Sequence, residues 1–72
     1  MAFGVEQGLA MLAALSGEMA DYYPYHAARA DLLRRAGQRE ASALAYQAAL
    51  TFCDNRLERA YFERRLAEVT QV

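Results

Sequence analysis

The sequence predicts an all-α fold of antiparallel helical hairpins, about four helices in 72 residues, of the tetratricopeptide-like repeat type. Three observations carry that expectation. Apolar residues recur at three- and four-residue spacing and do not alternate. Alanine is abundant and one proline is present, so helix is the default conformation. Glycines stand where helices would end or meet, at Gly8, Gly17 and Gly37.

The first helix is expected over residues 4–16. Val5, Leu9, Leu12 and Leu15 are its apolar side chains at helical spacing, with Met11 beside them. Gly8 sits inside that helix, where glycine costs about 1 kcal/mol relative to alanine, so a close helix approach is expected there. Gly17 is the expected stop. The second helix opens at Pro24, whose missing amide proton would find no partner in a first turn anyway. It runs to Ala36, with Tyr25, Ala28, Leu32 and Ala36 on one face and Ala30 and Leu33 widening it. Gly37 ends it in a left-handed conformation. A third helix spans Arg39 to Phe52, with Ala41, Ala45, Ala48 and Phe52 inward and Leu44, Tyr46, Ala49 and Leu50 flanking. Asn55 and Glu58 have capping-box spacing for a fourth helix to Val69, with Leu57, Tyr61, Phe62, Leu66 and Val69 as its apolar content. Pairs at i,i+4 are expected for Asp31–Arg35, Arg59–Glu63 and Arg64–Glu68.

A shift of 34 residues lays Gly8 on Ser42, Leu12 on Tyr46 and Leu15 on Ala49. In the repeat template, Ala30 takes the small position of the first helix and Leu33 its aromatic site. Ser42, Tyr46 and Ala49 take the small, aromatic and final small sites of the second. His26 stands where a large aromatic is usual, Arg29 where leucine is, and Asp54 where proline is. The organisation is then a half repeat (4–16), a full repeat (24–53) and a closing helix (55–69) in one domain. Such a unit does not bury its face alone. The expectation is either that the chain is a piece of a longer protein or that the first helix covers itself by self-association.

The chemistry-bearing residues are sparse. His26 and Cys53 are each the sole residue of their type, so no metal set and no internal disulfide form. Ser16 and Ser42 lack any nucleophile motif. No catalytic, cofactor-binding or metal-binding residue is assigned, and an enzyme is not expected. His26 reads as a helix-surface or helix-packing residue and Cys53 as a half-buried small hydrophobe at a helix end. Tyr22, Tyr23 and Tyr25 around Pro24 read as a plug between the first two helices, with an aromatic partner edge as the second reading. All eight basic residues are arginine, yet the net charge is −1, so nucleic-acid binding is not expected. The opening residues lack a signal peptide's basic start and no apolar run reaches about 20 residues, so a cytoplasmic, non-membrane protein is expected.

The run from His26 to Leu50, HAARADLLRRAGQREASALAYQAAL, followed by Asn55 to Leu66, NRLERAYFERRL, resembles a known family tail. It is similar to the C-terminal tetratricopeptide-like extension of extracytoplasmic-function-type bacterial RNA polymerase sigma factors. His26, Ala27, Arg29, Ala30, Leu32, Leu33, Arg34, Arg35, Gly37, Tyr46, Asn55, Glu58, Arg59, Arg65 and Leu66 carry the resemblance, which covers nearly the whole chain. The turn Gln38-Arg39-Glu40-Ala41 is offset from the family's, and the two core sigma regions that grip polymerase and read promoters are absent. The resemblance implies an accessory domain that modulates transcription initiation through contacts with the sigma core or RNA polymerase. Tyr25, His26, Arg29, Arg34 and Arg35 are the expected partner-binding residues. The alternative is a free-standing, homodimerising helical scaffold with no transcription role. A small-ligand sensor using His26 and Arg29 is the weakest reading.

Overall fold

A computed structural model describes residues 2–70, with side chains from Gly4 to Thr70. The elements are α1 (Ala2–Ala14), α2 (Tyr23–Arg35), α3 (Arg39–Phe52) and α4 (Arg56–Thr70). No strand occurs among the described residues. The all-α reading holds, and α3 has the expected bounds.

The hairpin of α2 and α3 is the largest interface, and small residues make it so. Ala30, Ser42, Ala45 and Ala49 are all essentially inaccessible to solvent, which brings the two backbones close. The Ser42 hydroxyl donates to the Ala30 carbonyl at 2.7 Å across that contact. The bend between the helices rests on Gly37, which has φ +81°. Around it, the Gly37 amide donates to Arg34 O at 3.1 Å and the Gln38 amide to Leu33 O at 2.9 Å. That is a Schellman cap, the arrangement that makes glycine the natural residue at its left-handed position.

The core also takes in Leu33, Tyr46, Cys53, Phe62 and Val69, with Leu9, Tyr23 and Leu66 packed around it. The five template positions (Ala30, Leu33, Ser42, Tyr46 and Ala49) are therefore all buried. The face assignments made from spacing alone fare worse. Ala28 and Ala36 are exposed, and so are Phe52, Leu44 and Leu57. In helices this rich in alanine, apolar residues lie all round, and spacing alone does not say which side a neighbour will take.

Tyr23 near the start of α2 donates from its hydroxyl to Glu58 near the start of α4 at 2.7 Å, and its ring meets Phe62 edge-on. Toward the other end, Arg34 of α2 lies within electrostatic range of Arg65 of α4. Heads pair with heads and tails with tails, so α2 and α4 run side by side in one layer, both against α3. The Asn55 side chain accepts from the Glu58 amide at 3.0 Å, as expected of a cap. Glu58 does not reach back to close the box, because its carboxylate is occupied by Tyr23.

Two expected ion pairs of α4 are replaced. Arg59 donates to the carbonyls of Leu50 and Cys53, closing the end of α3. Arg65, not Arg64, pairs with Glu68, at 2.9 Å. Arg39 performs the matching service for α4, donating to Glu68 O and Val69 O. Asp31 pairs with Arg35 as expected and with Arg34 as well.

Against the expected span to Ser16, α1 stops at Ala14. The chain leaves it through tight turns, with Leu15 bonding back to Leu12 O and Ser16 to Ala13 O. Gly17 has no positive φ and open space around it, so it is not the stop. Gly8 does mark the close approach: a Cβ there would lie 2.8 Å from Leu32 Cδ1.

Candidate interaction surface

Two surfaces present themselves. The first is the α2/α4 layer. Asp31, held between two guanidinium groups, fixes Arg34 at 2.7 Å and Arg35 at 3.1 Å. Arg34 is half-buried and Arg35 points out, its side chain 61% exposed. On α4, the Tyr61 hydroxyl accepts from Arg65 Nε at 3.2 Å, and the Arg65 guanidinium also stands over the Tyr61 ring, 5.4 Å from its centroid. The Tyr61 and Glu68 partners hold the Arg65 guanidinium protonated well above its ordinary range. Asp31 does the same for Arg34. Beneath them Tyr46 is buried, and burial raises its phenol, with Arg34 opposing. Its hydroxyl and Arg34 Nε are both buried without a partner at hydrogen-bonding geometry. The Tyr46 phenol lies near enough to Arg34 to favour its charge.

The second surface is α1. It rests on α2 through Gly8, and between them lies a groove of about 840 Å³ lined by Val5, Glu6, Leu9, Leu32 and Arg35 among others. The other side of the helix is open. Met11 is 69% exposed, and Ala10, Ala13, Ala14 and Leu15 are exposed with it. Leu15 was expected in the helically spaced apolar set of the first helix, with Met11 beside it. The helix has one neighbour where its composition calls for two: Glu6 is the single charge in Ala2–Ala14.

The five expected partner residues do not form one patch. Tyr25 is 7% exposed and packs against the His26 ring edge-on. His26 is half-buried; it stacks on Phe52 with centroids 5.8 Å apart, and its Nε2 lies 2.6 Å from Ala20 O. A carbonyl only accepts, so Nε2 carries the proton and donates. The histidine thus fastens the α1–α2 connection and fills the aromatic position of the repeat. Arg29 lies half-buried one turn on. Of the five, Arg34 and Arg35 share Asp31, Arg34 on the side of α4 and Arg35 on the groove against α1. Tyr61 and Arg65 join Arg34 and were not expected; their i,i+4 spacing on α4 was the available signal. The tyrosine cluster divides likewise. Tyr23 and Tyr25 plug the junction, while Tyr22 is exposed.

Among the described residues, no three His, Cys, Asp or Glu side chains gather as a metal site. No helix is long and apolar enough to cross a membrane. No protein-family model, curated protein or solved structure matches the chain.

Proposed function

We propose that this chain is an accessory protein-interaction domain of an extracytoplasmic-function-type sigma factor, working in the bacterial cytoplasm. It modulates transcription initiation through contacts with the sigma core or RNA polymerase and catalyses nothing itself. The observation that supports this reading is the α2/α4 layer. It holds Arg34 of α2 near Tyr61 and Arg65 of α4, and Asp31 pairs Arg34 on that side and Arg35 on the side of the α1–α2 groove. Arginine and tyrosine are the residues enriched where proteins meet. The family resemblance of His26 to Leu66 supplies the kind of partner.

Calorimetric titration of the folded chain with purified sigma core regions, and separately with core polymerase, tests the proposal. Saturable binding to one of them is expected, weakened about tenfold or more by Arg35→Glu with Arg65→Glu, since charge reversal opposes a complementary partner surface. Absence of binding to both overturns the proposal and leaves the free-standing scaffold.

A further inference from the structure

We propose that the cleft between the α2–α3 bend and the end of α4 takes a carboxylate side chain of a protein partner, an aspartate or glutamate held among Arg34, Arg39 and Arg65. This rests on the reading of the α2/α4 layer as the partner-binding surface, and it names the partner's chemistry. Three observations converge on it.

The first is placement. The cleft has a volume of about 380 Å³ and is lined by Arg34, Gly37, Arg39, Glu68 and Val69. Arg65 reaches the same cleft through Glu68, its guanidinium 2.9 Å from Glu68 Oε1. Guanidinium groups from α2, α3 and α4 thus meet at one place. Nothing lies within 4 Å of where a Cβ would stand on Gly37, so the approach over the bend is open.

The second is preorganisation. Asp31 holds Arg34 at 2.7 Å. The Tyr61 hydroxyl and Glu68 hold Arg65. The carbonyls of Glu68 and Val69 hold Arg39. A guanidinium carries more N–H donors than these contacts use, so donors remain on all three for an incoming acceptor. The side chains are already ordered, which lowers the entropy cost of binding.

The third is charge. Arg34, Arg39 and Arg65 stand against Asp31 and Glu68, which leaves the cleft with one positive charge in excess. Asp31 is shared with Arg35 besides. Arg34 and Arg65 also repel each other across the seam, and an anion between them relieves that repulsion. A carboxylate brings a single negative charge, and its planar pair of oxygens matches the guanidinium fork. A phosphate dianion would exceed the balance beside Asp31 and Glu68. A nucleic-acid backbone would find no general attraction on a chain of net charge −1.

NMR titration of the isotope-labelled full chain tests this, read at the arginine Nε–H and backbone amide signals. The probes are a capped triglutamate peptide, its triglutamine counterpart and inorganic phosphate, each at low salt. Triglutamate is expected to move the signals of Arg34, Arg39 and Arg65 saturably in the millimolar range, an effect that fades as salt is added. Triglutamine should move none of them, and phosphate should bind more weakly. Glu68→Gln removes the competing carboxylate and should tighten triglutamate binding, while Arg39→Gln should weaken it, each by about threefold. Circular dichroism verifies that both variants stay helical. Triglutamine moving the same signals, phosphate binding as tightly as triglutamate, or a Glu68→Gln chain that binds no tighter each overturns the proposal. So does silence of all three arginines, and the α2/α4 layer as a partner surface then stands or falls by the calorimetry with sigma core and polymerase alone.

Discussion

Gly37 and Ser42 decide whether the hairpin closes. At φ +81°, Gly37 occupies backbone that an L side chain resists, so Gly37→Ala is expected to cost about 1–2 kcal/mol in a urea titration. Gly4→Ala, where the new methyl meets open space on a helix, should be neutral or gain up to about 1 kcal/mol. Equal effects at the two positions would show that the bend is not built on Gly37. Ser42→Ala removes a buried 2.7 Å hydrogen bond and should cost about 1 kcal/mol. Ser42→Leu should cost more, about 1–3 kcal/mol, because the leucine wedges α2 from α3. A Ser42→Leu chain as stable as wild type would contradict the close approach. These positions were legible because the repeat register names them one by one. Ala30, Leu33, Ser42, Tyr46 and Ala49 all proved buried. Hydrophobic spacing named Phe52 as inward instead of Ser42. It could not do better, since nothing in an apolar tally distinguishes a serine that bonds a carbonyl from one that faces water.

At the scale of elements, helix termini are tied by arginines that the sequence assigned to other work. Arg59 was expected to pair with Glu63, yet it, like Arg39, donates to the carbonyls ending a neighbouring helix. Which arginine reaches a helix end depends on how helices cross, and i,i+4 spacing holds no such information. The docking of α4 on α2 has a pH signature. Tyr23 donates to Glu58, and that bond, with partial burial behind it, pushes the phenol up from 10.0 to about 12. The folded state thus prefers the neutral phenol. Its contribution is complete below pH 10 and is lost as pH rises through about 12. Tyr46, also raised by burial, adds to the same alkaline loss. Urea midpoints taken on either side of that window should fall for wild type and fall less for Tyr23→Phe. An identical fall in the two proteins would show that Tyr23 does not carry the linkage. The variant should also be less stable near neutral pH, by about 1 kcal/mol, as Glu58 loses its donor.

For the molecule as a whole, the fold is a two-layer slab, 32 × 32 × 16 Å, whose covering is uneven. α3 is flanked by α2 and α4, while α1 has α2 alone. The repeat register made this partly readable: within it the first helix has one partner, and its other side is exposed at Ala10, Met11, Ala13 and Ala14. Less readable was which residues would show. Leu15 read as one of the helically spaced apolar residues and Met11 as their neighbour, because α1 carries only Glu6 and Gln7 as polar side chains and its sequence does not state from which direction it is covered. The α2/α4 surface was half-visible for a related reason. Arg34 belongs to a recognisable run, whereas Tyr61 and Arg65 join it only through the parallel placement of two helices some thirty residues apart.

The central claim is that a firm hairpin carries a first helix covered on one side only. Amide hydrogen exchange of the dilute chain measures this most directly. Amides of α2 and α3 should exchange slowest, at the rate of global unfolding, and those of α1 fastest, through local opening. Protection of α1 equal to that of α3 in the dilute sample would contradict the account, since a helix so protected has no open side to offer.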